Sequence, residues 1–242
     1  MSTAPTNPPQ TQRRPGLIFG TFELCLRLLG LLFASLLFSI LLEFVGMLWI
    51  WPEQGWRHSH AMWLNELSWL SNHFKSSLLV QEPAQATAKI LEYLSDWIAV
   101  HSGWAHSDVQ VKLSILEGTP DWYIAQAYLM IKDYLLGALF TIFTFVVRVT
   151  VLTLAMPLFL LAVITGAVDG LMRRDLRKFR ADRESSFVYH RAKRTLIPLM
   201  ISPWMIYLTL PWSANPNWVL LPSAAVLGFM VSITAASFKK YL

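Results

Sequence analysis

Four long apolar runs separated by polar segments dominate the hydrophobic pattern of the chain. The first covers residues 24–51 and carries no charge over its central positions, 28–42. A second run covers 134–168, and the third and fourth, 196–210 and 218–238, are joined by a proline-rich turn. Because about 20 helical residues cross a hydrocarbon core of about 30 Å, these runs predict four transmembrane helices.

Prolines make the later runs less regular than the first. Pro157 lies inside the second run, which is long enough to tilt, and we expect the proline to kink that helix. The third run is short and contains Pro198 and Pro203. It is therefore predicted either to cross as one arm of a hairpin with the fourth run or to re-enter the membrane.

The segment between the first and second runs has the spacing of amphipathic helices. Apolar residues recur at helical intervals over 54–80 and 83–101, and 121–133 is expected to continue as helix into the second run. The stretch 109–116 fits a strand or a short helix. We interpret the whole segment as a small helical cap that lies partly on the membrane surface.

These patterns predict an all-α, polytopic membrane protein with about four transmembrane helices and a small helical outer (periplasmic) loop domain. The predicted organisation is a disordered tail (1–16), a first transmembrane helix (17–51), the outer loop (52–133), a second transmembrane helix (134–168), a basic loop (169–195) and a transmembrane hairpin (196–238).

The distribution of charge predicts the orientation. Only 14% of the residues are charged and 55% are hydrophobic, which is unlike a soluble domain. The segment 169–195 has nine basic residues, whereas 52–133 has five basic residues and nine acids. By the positive-inside rule, the basic loop and both termini are predicted in the cytoplasm and the long loop outside.

Signals for metal, cofactor or catalysis are weak. The outer loop holds five histidines, but it has neither HExxH nor a cysteine, so we predict no metal site: His58, His60, His73, His101 and His106. Ser186 and His190 are four apart, yet a nucleophilic triad also needs an orienting acid and an oxyanion hole. Since the nucleotide-binding glycine motifs are also missing, we predict no cofactor and no enzyme activity.

Arg148, near the middle of the second run, is the sharpest single feature. A charge at the bilayer centre costs at least about 2.5–3.5 kcal/mol, so we expect it to have a partner or a wet cavity. Glu43 is the acidic residue nearest the apolar part of another run, and a bridge would require Arg148 to reach outward. The alternatives are snorkelling, packing against a partner protein, or a transport role.

The basic loop contains the second candidate interaction surface. It mixes acid, hydroxyl, aromatic, histidine and base within a short stretch, and its candidate residues are Arg183, Glu184, Ser185, Ser186, Tyr189, His190, Arg191, Lys193 and Arg194. Anionic lipid headgroups account for most of this charge. Docking to an acidic partner is the second interpretation, and direct nucleic-acid binding is the weakest because few aromatic residues accompany the charge.

The run RESSFVYHRAKR at 183–194, followed by a proline-containing apolar hairpin, resembles a membrane-protein family of integrating conjugative elements. The resemblance extends over most of the chain after its N-terminal tail and carries no catalytic residue with it. Genes of this family lie among conjugative type IV secretion genes, often near the coupling ATPase. The resemblance therefore implies an accessory component of a conjugative DNA-transfer apparatus in the bacterial inner membrane.

Two classes of function follow. The first is a structural or interaction subunit whose partners are other conjugative transfer proteins, with the coupling ATPase as a candidate. The second is a small transporter or membrane enzyme with Arg148 in a polar site at the membrane midplane. The second class needs several polar companions for Arg148, and the sequence supplies few, so the first is favoured.

Overall fold

Every regular element of the described chain is a helix. The computed structural model describes residues 17–73, 83–102, 120–180 and 186–237. The helices are α1 (Leu17–Trp49), α2 (Trp56–His73), α3 (Pro83–Ser102), α4 (Pro120–Leu154), α5 (Met156–Arg180), α6 (Ser186–Thr209) and α7 (Pro216–Ala236). The all-α prediction is confirmed over these residues. The tail 1–16 and the stretch 109–116 lie outside them.

Three stretches of the described residues are long and apolar enough to cross a membrane: Gly20–Trp49, Gln126–Leu176 and Pro216–Ala236. Such stretches are typical of a membrane protein. The middle one has 51 residues, about 76 Å at 1.5 Å per residue, which is longer than one crossing. Helix α6 is not among the three, and its N-terminal half carries Arg191, Lys193 and Arg194 of the RESSFVYHRAKR run. The four-span count therefore stays a prediction.

The second apolar run is interrupted beside Pro157, where its sequence predicted a kink, and it forms two successive helices. Helix α4 ends at Leu154, one turn residue follows, and α5 begins at Met156. Pro157 lies directly after this break, and because it has no N–H it cannot donate the next helical hydrogen bond. By contrast, Pro198 and Pro203 lie inside α6 without ending it.

Helices α5 and α7 form the largest helix pair in the described chain. A Cβ atom at Gly166 would collide with the carbonyl oxygen of Gly228, and one at Gly170 would collide with the carbonyl oxygen of Ser232. Residue 166 of α5 faces residue 228 of α7, and residue 170 faces residue 232, so the two helices run parallel. The missing side chains let the two backbones touch, as in small-residue contacts between membrane helices.

A polar contact lies at one end of this glycine contact between α5 and α7, which we call the seam. The Ser232 hydroxyl donates to Asp169 at 2.5 Å, and Arg173 forms an ion pair with the same carboxylate at 2.9 Å. At the opposite end, the Asn215 side chain accepts a hydrogen bond from the Asn217 N–H and caps α7. Pro216 at the first helical position suits this start because its missing N–H would have had no helical partner.

Helices α1, α2 and α4 form the other half of the molecule. The C-terminal part of α1 packs near Gly137 of α4, where a Cβ would press against the sulfur of Met47. Helix α2 lies along α4, and the rings of Trp56, Trp63 and Phe140 stack between them. One hydrophobic cluster, which includes residues of α2, α3, α4, α6 and α7, joins the two halves.

Candidate functional site, a buried arginine network

Arg148 is the centre of a buried ion-pair network between α2 and α4. Its side chain is 1% exposed, and so is that of its partner Glu66. The Arg148 Nε and Nη2 atoms donate to Glu66 Oε1 at 3.1 and 2.8 Å. Two N–H groups on one carboxylate make the charge-assisted geometry for which a guanidinium is suited.

The same guanidinium closes the C-terminal end of α6. Nη1 donates to the carbonyl oxygen of Leu210 at 2.7 Å and to that of Leu208 at 3.4 Å, and Nη2 donates to that of Trp212 at 2.8 Å. The last carbonyl groups of a helix have no partner within it and carry the negative end of its dipole. Arg148 therefore satisfies the carbonyls at the turn between α6 and α7.

Tyr207 of α6 completes the network. Its hydroxyl donates to Glu66 Oε2 at 3.0 Å, and its ring centroid lies 5.4 Å from Arg148 Cζ. Both Glu66 oxygens and all three guanidinium nitrogens thus have protein partners. We call Arg148, Glu66 and Tyr207, with the carbonyls of residues 208, 210 and 212, the Arg148 network. It fastens α2, α4 and α6 to one another.

Glu43 is not the partner of Arg148, so the bridge suggested by the sequence is wrong. Its Oε1 atom accepts a hydrogen bond from the Ser59 hydroxyl at 2.6 Å and lies 3.2 Å from His58 Nδ1. The Glu43 side chain is 1% exposed, which places this second polar contact inside the protein as well. Glu43 thus joins the end of α1 to the start of α2 and takes no part in the contacts of Arg148.

The histidines of the outer segment lie among aromatic rings where they are described. The His58 ring stacks on Trp51 with 3.9 Å between centroids, and the His60 ring lies 4.7 Å from that of Phe140. Within 17–73, 83–102, 120–180 and 186–237, no three histidine, cysteine or acidic residues gather as they would around a metal ion. The side chains of His73 and His101 and the whole of His106 lie outside the described part.

The candidate residues of the basic loop are far along α6 from the Arg148 network. Arg183, Glu184 and Ser185 lie outside the described residues, and α6 begins at the next residue. Its first turns contain Ser186, Tyr189, His190, Arg191, Lys193 and Arg194. Of these, the side chains of Arg191 and Arg194 are described, and both are exposed. The network lies at the other end of the same helix, so the two candidate sets form separate sites.

Sequence reasoning missed Glu66 and Tyr207. A signal for Glu66 was present, because Met62, Glu66 and Leu70 recur every four residues and so share one face of α2. All three are buried. An acid in the apolar stripe of an amphipathic helix indicates a buried partner. Tyr207 gave no comparable signal, since a tyrosine in an apolar helix end is common at membrane interfaces.

Comparison with known proteins identifies the family. The family model of DtrJ-like proteins, described as IncC plasmid conjugative DNA transfer proteins, matches residues 50–239. The chain belongs to the DtrJ-like family. The predicted resemblance to a conjugative-transfer family is thereby confirmed. No curated protein and no solved structure matches the chain significantly.

Membership in the DtrJ-like family makes the chain a conjugative DNA-transfer protein. The matched region contains Glu66, Arg148 and Tyr207, so the whole Arg148 network lies inside the DtrJ-like part of the chain. Glu43 and the whole of α1 precede the match.

Proposed function

We propose that this protein is an accessory, multi-pass inner-membrane subunit of a conjugative DNA-transfer (type IV secretion) apparatus. In this proposal it acts as a structural or interaction subunit near the coupling ATPase and catalyses no reaction itself. The observation that carries the proposal is the family match over residues 50–239. It implies other transfer proteins as partners.

The direction of the helices supports a cytoplasmic docking end. Helices α5 and α7 run parallel, and α5 ends with Arg173, Arg174 and the basic residues that follow them. Helix α6 follows in the chain after five intervening residues, and its first turns carry the exposed Arg191 and Arg194. Basic residues therefore collect at one end of α5 and α6. By the positive-inside rule we assign this end, with both termini, to the cytoplasm in a four-crossing arrangement.

The Arg148 network favours a structural role over transport. A transport site needs a charged group that can exchange its partners with a passing ion or solute. All the guanidinium nitrogens of Arg148 already have protein acceptors, and Glu66 has donors on both oxygens. The network therefore supports a rigid joint between helices, which suits a subunit that presents fixed surfaces to other proteins.

Affinity purification from cells that carry the intact conjugative element tests this proposal. We expect the tagged protein to recover other transfer proteins, including the coupling ATPase, and its deletion to lower the transfer frequency. If no transfer protein is recovered and transfer is undiminished in the deletion strain, the proposal is rejected.

A matched pair of variants tests the docking end. Replacing Arg191, Lys193 and Arg194 together by Gln should lower recovery of the coupling ATPase, because the charges that attract an acidic partner are removed. Arg57→Gln changes an exposed arginine on α2, at the opposite end, and should leave recovery unchanged. Equal recovery with both variants would show that the partner docks elsewhere.

A further inference from the structure

Helix α3 has three distinct faces, and one of them has no polar residue. Thr87 and Leu91 are 4% and 1% exposed and turn one face toward the rest of the protein. At about 100° per residue, a polar strip lies opposite this face, and an apolar strip lies along one side of the helix between the two. The polar strip contains Gln85, Lys89, Glu92 and Asp96, and the apolar strip contains Ala86, Ile90 and Tyr93, with Leu94 at its border with the buried face.

No described residue covers the apolar strip. Ile90 is 56% exposed, Tyr93 77% and Leu94 41%. Helix α2, its neighbour in the outer segment, differs: most of its exposed positions are polar, including Arg57, Asn65 and Asn72. An apolar strip is therefore a specific property of α3 and not a general property of the outer helices.

The packing of α3 places the strip beside the membrane. Leu91 belongs to the same hydrophobic cluster as Phe143, Val147 and Val151 of α4. Those α4 residues lie within Gln126–Leu176, a stretch apolar enough to span a bilayer. Helix α3 is thus held at the side of a helix that is apolar enough to span a membrane, so lipid around that helix is the nearest candidate to cover the strip.

The arrangement of α3, with an apolar strip beside a charged one, is typical of an interfacial helix. Such helices lie in the plane of the membrane with an apolar strip in the boundary between headgroups and acyl chains and a charged strip in water. Tyrosine is enriched at this depth because its ring is apolar and its hydroxyl is polar. We propose that α3 binds the lipid surface, with Ile90, Tyr93 and Leu94 in the headgroup–acyl boundary and Lys89, Glu92 and Asp96 in water.

Site-directed spin labelling of the full chain tests the assignment. Single cysteines at Ile90, Tyr93 and Leu94, and matched cysteines at Lys89, Glu92 and Asp96, are introduced in a Cys25→Ser background. The proteins are reconstituted in vesicles of phosphatidylethanolamine and phosphatidylglycerol. Oxygen partitions into lipid and a nickel chelate stays in water, so the ratio of their collision rates with each nitroxide reports its surroundings.

We expect this ratio to be several-fold higher at each position of the apolar strip than at each position of the polar strip. Equal, water-like ratios on both strips would overturn the proposal. Nitroxides at 90, 93 and 94 that are immobile and shielded from both reagents would also overturn it, because a protein surface would then cover the strip. Three positions on each strip keep the test decisive if one variant does not fold.

Discussion

At the scale of single residues, Arg148 illustrates how a charge is accommodated inside an apolar bundle. The free-energy cost of burying this charge depends on the geometry of its partners more than on how deeply it is buried. A buried ion carries a desolvation cost of several kcal/mol, which only well-placed partners offset. Here one carboxylate and three carbonyl groups surround the guanidinium. Arg148 therefore stabilises the fold only when all members of the Arg148 network are present.

Removing one member of the ion pair should be strongly destabilising. We expect Arg148→Leu to lower the free energy of unfolding by about 3–5 kcal/mol, because Glu66 would remain buried without its counter-charge. Unfolding in mixed detergent and SDS, followed by tryptophan fluorescence, measures the loss. Arg57→Leu, an exposed change of the same type, is the control and should have little effect.

The double variant Arg148→Leu/Glu66→Leu distinguishes loss of a pair from loss of a residue. It should recover part of the stability, because neither charge then remains buried alone. A double variant whose loss equals the sum of the two single losses would contradict the coupling of these two residues.

The residue scale is also where sequence reasoning was least complete. Arg148 could be singled out because a charge within an apolar run is conspicuous. Its partner could not be chosen among the acids, since Glu66 comes 82 residues earlier and on a helix of mixed polarity. Glu43 was chosen because it lies close to the apolar part of another run. Its carboxylate instead contacts Ser59 and His58.

At the scale of helices, the contact between α5 and α7 depends on the absence of side chains. Gly166 and Gly228 bring two backbones together in a seam that a single added methyl group would disturb. Such contacts contribute dispersion and weak polar interactions that lipid cannot replace equally well. The order of helices along the chain did not predict this pairing, because α6 intervenes between its two members.

A matched glycine pair tests the seam. Gly166→Val should destabilise the protein by about 1–3 kcal/mol, because the new side chain must force α5 away from the Gly228 carbonyl. Gly30→Val adds the same side chain to α1 at a position with no neighbouring atom within 4 Å, and it should be tolerated. Thermal unfolding of both purified proteins in detergent gives the comparison. Similar melting of the two variants would argue against a close seam.

Helix positions were predicted better than helix breaks. The apolar runs located α1, α7 and the turn between α6 and α7, because length and hydropathy suffice for that. Proline was a less reliable guide, as a break precedes Pro157 while Pro198 and Pro203 lie within a continuous helix. Neighbouring helices can compensate for the hydrogen bond that a proline removes, and no single helix sequence records its neighbours.

At the scale of the whole molecule, the structure separates two ends. One end has the basic termini of α5 and α6, and the other has the Arg148 network, the α6–α7 turn and helices α2 and α3. The charge pattern of the sequence predicted that the basic residues lie away from α2 and α3, and the orientation that the positive-inside rule assigns to the two ends stays a prediction. What the charge pattern could not predict is that α2 packs along α4 and contributes an acid to the centre of the fold.

Cysteine labelling tests the orientation. In a Cys25→Ser background, Ser213→Cys in the α6–α7 turn should react with a membrane-impermeant maleimide in intact cells with a permeable outer membrane. Arg194→Cys should react only after the inner membrane is opened, because α6 would place the two positions on opposite sides. Reaction of both positions from one side would mean that α6 re-enters instead of crossing.

The order of synthesis gives the Arg148 network a further consequence. A ribosome makes Glu66 long before Arg148, but the carbonyls of Leu208, Leu210 and Trp212 follow Arg148 by 60, 62 and 64 residues. Every nascent chain of intermediate length therefore carries a guanidinium with part of its donors unmet. The Arg148 network becomes complete only when the α6–α7 turn has been translated, so a late helical hairpin finishes a site that α2 began.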